Sequence, residues 1–233
     1  MNINNTYALS IILPVYNEEC SIQKTISDIY GRIDNFTNTA QIIVINDGSQ
    51  DATARILQKM CQSMYRLKVV THERNRGYGA ALCSGIKAAQ GEWLLLMDAD
   101  GQFQLDSLRD CWPNRQYYDC LLGYRQKRKD LSYRLVLGRL GNGISNYFLG
   151  LKINDINCGF KLFKKELVTN LLLVSTGGAI NFEIFYRLAR TKQLFKLFQF
   201  PVLHYPRLEG KSTGGNFKVI LKIIIDGFRI ILK

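Results

Sequence analysis

The cysteines (Cys20, Cys61, Cys83, Cys111, Cys120 and Cys158) show no CxxC or CxxxC spacing, so they read as reduced, partly buried thiols of a reducing compartment. Nothing in the first thirty residues reads as a signal peptide either: the apolar stretch Leu9 to Val15 is short, contains Pro14 and lacks a basic n-region. The expected address is therefore cytoplasmic, and the sequons Asn4-Asn5-Thr6 and Asn35-Phe36-Thr37 are expected to be accidental. No internal repeat, low-complexity tract or linker divides the chain. Acidic residues are scarce: 19 Asp and Glu stand against 31 Lys and Arg, giving a net charge of +12. That surplus suits nucleic acid, an anionic membrane or a phosphorylated substrate, and does not choose among them. What is present in quantity is apolar: 47% of 233 residues, with 21% charged, enough for a packed core and against disorder. The length fits one large α/β domain.

Strand and helix alternate through the first hundred residues. Leu9 to Val15 reads as a buried strand stopped by a proline, and Ser21 to Ile33 as a helix with Ile22, Ile26, Ile29 and Ile33 on one face and Ser21 as N-cap. Gln41 to Asn46 is a second strand, Asp51 to Met64 a helix and Leu67 to Thr71 a third strand. Gly79 to Gln90 is a small-residue helix, and Glu92 to Met97 a fourth strand. Such alternation predicts a parallel, doubly wound sheet with ligands at the carboxyl ends of its strands. The loops Tyr16-Asn17-Glu18, Asp47-Gly48-Ser49 and Asp98-Ala99-Asp100 fall at those ends, and after Gln102 the alternation is lost.

Asp98 and Asp100 stand one residue apart beyond an apolar strand, where two carboxylates can converge on a hard cation that also binds phosphate oxygens. Mg²⁺ or Mn²⁺ there would neutralise a diphosphate and help it leave. Taken alone, Asp-x-Asp is equally an acidic turn. Asn46 to Asp51 reads either as a turn with a helix N-cap or as a carboxylate and polar backbone facing a nucleobase. The glycines of Arg76-Gly77-Tyr78-Gly79 either admit a nucleotide or tighten a strand-helix connection. Walker A is excluded because no Gly-Lys-Ser/Thr follows, and the dinucleotide fingerprint fails at Leu82.

Together these segments resemble the family 2 glycosyltransferases, most closely the dolichol-phosphate mannose synthase-like, or polyprenyl-phosphate hexosyltransferase, branch. The carriers are Pro14-Val15-Tyr16-Asn17-Glu18-Glu19, Asn46-Asp47-Gly48-Ser49, Arg74 to Ala81, Met97 to Gln102, Asn157-Cys158-Gly159-Phe160-Lys161 and Arg207 to Ser212, running from about Leu9 to about Gly214. The resemblance implies a GT-A type nucleotide-diphosphosugar transferase fold: α/β, with a central mostly parallel sheet flanked by helices. It places Pro14, Tyr16, Glu18 and Asp47 around the nucleobase and ribose, and Ala99 in the donor site. Asp98, Asp100 and Gln102 would hold the metal and diphosphate, with Asp100 and Arg207 carrying catalysis. Arg125 and Arg139 would bind an acceptor phosphate, although Tyr124 and Leu140 depart from the branch pattern and Arg125 to Arg139 also reads as a solvated basic face. Glu183 sits where other family 2 enzymes have an acidic pair ending in the base. Here it is the one acid between Glu166 and Glu209. Hydroxyl acceptors need such a base; a lipid phosphate does not.

The resemblance thus implies an inverting transfer from a nucleotide-sugar of the GDP-mannose or UDP-glucose class to a polyprenyl or dolichyl phosphate, with a glycan or lipid hydroxyl as rival acceptor. A non-catalytic nucleic-acid or membrane-binding protein is the rival of another class, but no recognisable nucleic-acid motif accompanies the basic residues. The tail is read as a separate unit, residues 217–233 after a catalytic domain of 1–216. At about 100° per residue, its charges Lys218, Lys222, Asp226, Arg229 and Lys233 fall within an arc of about 80°. Five charges preclude a membrane span. An apolar face with a basic stripe fits a helix in the interface of an anionic membrane at its cytosolic side, and equally a helix docked on its own domain or on a partner.

Overall fold

The computed structural model describes residues 7–126, 132–191, 194–206 and 217–232. Four parallel strands, β1 (Leu9–Val15), β2 (Ala40–Asn46), β3 (Leu67–Thr71) and β4 (Trp93–Met97), are linked by helices α1 (Ile22–Arg32), α2 (Thr53–Cys61) and α3 (Tyr78–Ala88). Strands covered on both faces need apolar residues at every position rather than at alternate ones. Accordingly Ile11, Leu13, Ile42, Val44 and Leu95 face one core layer, and Ile12, Ile43, Ile45, Leu94 and Leu96 face the other. The first layer is closed by α1 and α2 through Ile22, Ile26, Ile29 and Leu57, the second by α3 through Ala81, Leu82 and Ile86.

The sheet has seven strands in the order β3-β2-β1-β4-β6-β5-β7, completed by β5 (Cys120–Gln126), β6 (Phe160–Lys164) and β7 (Leu197–Leu203). Strand β6 alone runs against its neighbours, pairing antiparallel with both β4 and β5, so the sheet is mostly parallel as expected. Helices α4 (Leu108–Cys111), α5 (Ser132–Leu149), α6 (Lys165–Thr169), α7 (Ile180–Leu188) and α8 (Phe217–Ile231), with short 3-10 helices at Ile33–Asn35, Leu105–Ser107 and Trp112–Gln116, complete the described elements. Because β6 enters the sheet where β4 leaves it, Phe160 pairs with Met97, and Gly159 lies against Asp98. The Asn157–Lys161 motif thereby reaches the Asp98–Asp100 loop.

Two expected details differ. The predicted second helix is trimmed to Thr53–Cys61. Ser21 occupies the N-cap position of α1 without capping it, because its hydroxyl donates to the Glu18 carboxylate instead.

Candidate active site

The ends of β1, β2 and β4 form one edge, and side chains stitch their loops together there. The loop after β1 turns at Asn17, which has φ 54°. Asn17 N–H donates to Ser49 Oγ at 3.0 Å, and Asn17 Oδ1 accepts from Gln50 N–H at 2.8 Å. Glu18 N–H donates to Thr53 Oγ1 at 2.9 Å, and the Glu18 carboxylate accepts from Ser21 Oγ at 2.7 Å. Pro14 lies half-buried within β1, which runs one residue past it to Val15, while Tyr16 stands exposed at the rim.

Asp47 is placed differently. It is 3% exposed, and its carboxylate accepts from Arg76 N–H at 2.9 Å and Gly77 N–H at 2.7 Å. It also meets His72 Nδ1 at 2.6 Å, and the other ring nitrogen of His72 meets Ser84 Oγ at 2.9 Å. Asp47 therefore holds the 72–77 loop in place. Gly48 makes this fit possible: a Cβ there would lie 2.4 Å from the Arg74 carbonyl carbon, and its φ of +68° suits glycine.

The loop after β4 is fastened from beneath. Ala99 is buried, and its carbonyl accepts from Thr25 Oγ1 at 3.2 Å, which leaves Asp98 and Asp100 on either side, both partly exposed. Asp98 is held on two sides. Tyr78 Oη donates to its Oδ1 at 3.0 Å, and Gly159 packs so closely that a Cβ there would lie 2.0 Å from Asp98 Oδ2. Burial, then the Asp98 charge, pushes the Tyr78 hydroxyl well above the ordinary tyrosine range, so it stays a donor. Asp100 Oδ1 accepts from Gln102 N–H at 3.1 Å. Gln102 bonds Tyr205 twice, side chain to carbonyl at 3.1 Å and N–H to carbonyl at 3.0 Å in return. This brings the segment that ends at Pro206 beside the carboxylates; Arg207 lies outside the described residues.

Among the described residues no three His, Cys, Asp or Glu side chains cluster as a metal site. Two carboxylates and an amide oxygen are nevertheless the hard donors that Mg²⁺ or Mn²⁺ takes when substrate phosphates and water complete its shell, so the residues fit such an ion.

Arg125, one of the two arginines expected to bind an acceptor phosphate, forms a two-pronged pair with Asp155: Nε to Oδ2 at 2.7 Å and Nη2 to Oδ1 at 2.9 Å. The loop carrying Asp155 is gripped from α5. Asn142 Nδ2 donates to Ile153 O at 2.6 Å, its Oδ1 accepts from Ile156 N–H at 3.0 Å, and Asn146 adds two bonds to Ile153. Arg125 and α5 thus meet at one loop, with Arg139 exposed a turn before Asn142. Glu183 is 0% exposed, and its carboxylate accepts from Val174 N–H at 3.1 Å, Ser175 N–H at 2.8 Å and Arg187 Nη2 at 3.2 Å. It anchors the 174–176 segment, against which α3 starts through Gly79 N–H to Thr176 O at 2.8 Å.

Sequence reasoning passed over three members of this arrangement. Tyr78 was readable as the one large residue between two glycines at a strand-helix junction. His72 stood out as one of two histidines in the chain. Lys161, inside the quoted motif, is fully buried and donates to Asn181 Oδ1 at 2.9 Å and to the Cys158 carbonyl. Burial pulls its ammonium below the usual lysine range, against the opposing pull of Cys158, Asp98 and Asp155. Burial also pushes the Cys158 thiol up to about 12.

A sheet of this order, with paired acids at the carboxyl end of β4, defines a nucleotide-sugar-transferase type of fold. The profile of "Glycosyl transferase family 2" matches residues 10–172, and the chain belongs to that family. Among curated relatives, a dodecaprenyl-phosphate galacturonate synthase of Rhizobium johnstonii is 27% identical over 226 residues, covering 93% of this chain and 65% of the relative. A dolichyl-phosphate beta-glucosyltransferase of Homo sapiens is 30% identical over 181 residues, covering 69% of this chain and 56% of the relative. The chain thus spans less than two thirds of these relatives' lengths. These relatives belong to the polyprenyl-phosphate sugar-transferase branch that the motifs indicate. Among solved structures, glucosyl-3-phosphoglycerate synthase from Mycobacterium tuberculosis, a GT-A protein, superposes with a TM-score of 0.72 at 16% identity, over 96% of this chain and 80% of its own. The same enzyme crystallised with Mn²⁺ and UDP gives 0.70 at 17% identity, over 97% and 79%.

Proposed function

We propose that the protein is an inverting, metal-dependent hexosyltransferase that moves sugar from a nucleotide-sugar to a polyprenyl or dolichyl phosphate. The observation that supports this most is the pairing of two differently built halves. Asp98 and Asp100 flank Ala99 in the loop after β4, at the edge where β1 and β2 also end, while the acid nearest a base position, Glu183, has its oxygens committed to backbone N–H groups and Arg187. An acceptor that is already anionic needs no base, and relatives named for dodecaprenyl and dolichyl phosphate support that reading. Pro14, Tyr16, Glu18 and the loop held by Asp47 surround the nucleoside. Asp98, Asp100 and Gln102 would hold Mg²⁺ or Mn²⁺, which would supply positive charge to offset that of the diphosphate. Arg207 contacts the same diphosphate. Arg125 and Arg139 orient the acceptor phosphate, whose oxygen bonds to the anomeric carbon as the bond to the diphosphate breaks on the opposite face.

The test pairs Asp100→Asn with EDTA. Turnover with lipid phosphate and Mn²⁺ should fall by about 10²–10³-fold, the effect of removing an electrostatic contact to the leaving charge, while the melting temperature holds. A screen of UDP- and GDP-sugars with Mn²⁺ should raise the melting temperature of the unmodified protein for one nucleotide class. Full activity of Asp100→Asn in EDTA would overturn the assignment.

A further inference from the structure

Strand β6 carries a charge where its pattern calls for an apolar side chain. Lys161 pairs with Leu96 on β4 and Leu122 on β5, so it faces the same core layer as those leucines and Phe163. It is 2% exposed. A methionine of similar length would fill the place without the cost of burying an ammonium, which is high unless the charge is well bonded. The ammonium donates to the Cys158 carbonyl and to Asn181 Oδ1 at 2.9 Å. Burial disfavours its charge, and the carboxylates of Asp98 and Asp155 favour it. Those two acids stand on opposite sides of the proposed reaction, and Cys158 belongs to the turn that joins them. Cys158 N–H donates to Asp155 O at 3.1 Å, and the next residue, Gly159, packs on Asp98 and accepts from Asp98 N–H at 3.1 Å. Asp155 in turn clamps Arg125.

We propose that Lys161 is a positioning residue that fixes the 155–159 turn from inside the core and thereby sets Asp98 and Arg125 at a constant separation. The inference rests on the proposed reaction in one respect: Asp98 serves the donor and Arg125 the acceptor. Lys161 itself is buried and touches neither substrate. Its length and its charge have separate tasks. The length carries the ammonium from β6 to the turn and to α7 at once, and so ties the turn to the helix whose Glu183 holds the 174–176 segment. The charge strengthens both bonds to neutral oxygens. It also draws two carboxylates of like sign toward one centre, which a neutral donor in its place would not do. Transfer requires the reacting atoms to meet at about 3–3.5 Å, so a turn that holds both halves governs whether they do.

The experiment compares Lys161→Met, Lys161→Arg and Asn181→Ala with the unmodified protein. It uses amide hydrogen exchange, and steady-state kinetics with Mn²⁺, UDP-glucose or GDP-mannose, and a short prenyl phosphate. Exchange is followed at Asp98 and Cys158, whose N–H groups bond to the turn. In Lys161→Met both amides should exchange about tenfold faster or more, and the donor KM and acceptor KM should rise together, about tenfold each. Lys161→Arg keeps the charge and the donors and should recover most of both effects. Asn181→Ala leaves the Cys158 bond in place and should give the same pattern more weakly; it carries the test if Lys161→Met does not fold. A lower melting temperature with both KM values and both amides unchanged would make Lys161 a packing residue and overturn the proposal. So would a rise in one KM alone, or a Lys161→Arg variant no better than Lys161→Met. If the unmodified protein transfers nothing to the prenyl phosphate, the reaction reading fails by itself, and exchange at Asp98 and Cys158 still decides whether Lys161 fixes the turn.

Discussion

The proposed donor edge and the proposed acceptor flank of this protein are held together by opposite means. At the donor edge, loops leave parallel strands and are pinned to one another through short contacts: Asp47 to Arg76 and Gly77, Asn17 to Ser49 and Gln50, Tyr78 and Gly159 to Asp98. At the acceptor flank, one helix grips one loop through two asparagines and presents its apolar side to the outside. A diphosphate and its cation demand fixed oxygens, since misplacement of about 1 Å can cost about 10²-fold in rate. An amphiphilic acceptor demands a surface. The donor edge therefore has no slack, and the acceptor flank has room.

Glycine substitutions break or sharpen that contrast most forcefully. Gly159→Ala would put a methyl 2.0 Å from Asp98 Oδ2, between a strand and the carboxylate it supports. Overpacking of this kind costs about 1–3 kcal/mol, and displacing the carboxylate should lower turnover about 100-fold. The counterpart is Gly141→Ala on α5, where an added Cβ meets nothing within 4 Å. It should stabilise the helix by about 0.5–1 kcal/mol. Melting curves and turnover of the two variants decide the point. Equal effects would erase the contrast.

Asn142→Ala tests the flank itself. It removes the bonds to Ile153, Asn154 and Ile156 that fix the loop carrying Asp155, the partner of Arg125. Unpaired carbonyls and N–H groups at this half-buried site should cost about 1–3 kcal/mol. The acceptor KM should rise about tenfold while the donor KM stays, because loosened ground-state binding appears in KM. A donor KM that rises equally would show the two halves to be one rigid unit.

The same contrast governs how much the sequence disclosed. Strands β1 to β4 were legible because burial on both faces writes a continuous apolar run and because helices alternate with them. Asp98 and Asp100 were legible as acids ending such a run. The second half was not, since β6 enters antiparallel and α5 shows a periodicity that says which residues share a face but not which face meets the protein. Asp47 was read as a nucleobase or ribose contact and Glu183 as a lone acid at a base position, and both carboxylates close on backbone N–H groups. Residues far apart in sequence supply those contacts, and local pattern does not carry them.

The smallest expected effect belongs to Tyr78→Phe, which removes one oxygen from the donor edge. In the intact protein the hydroxyl donates to Asp98 Oδ1, while Asp98 N–H donates to Gly159 O at 3.1 Å. The backbone bond survives the substitution and the ring still fills its place beside α3, so the fold should hold. Hydrogen bonds to charged groups contribute about 1.5–3 kcal/mol, but Asp98 is partly exposed and water recovers much of that. The remainder should appear as Mn²⁺-dependent donor affinity weakened several-fold, about 1 kcal/mol, with the melting temperature little changed. The pH dependence separates orientation from packing. Burial, then the Asp98 charge, holds the hydroxyl protonated well above the ordinary value near about 10. As an acid with a raised pKa it keeps its proton on the way up, so donor affinity in the unmodified protein should not fall through pH 9 to 10 from this group. A fall there that Tyr78→Phe abolishes would show the hydroxyl ionising in reach of water. Unchanged donor affinity with a lowered melting temperature would make Tyr78 a packing residue and leave Asp98 oriented by Gly159 alone.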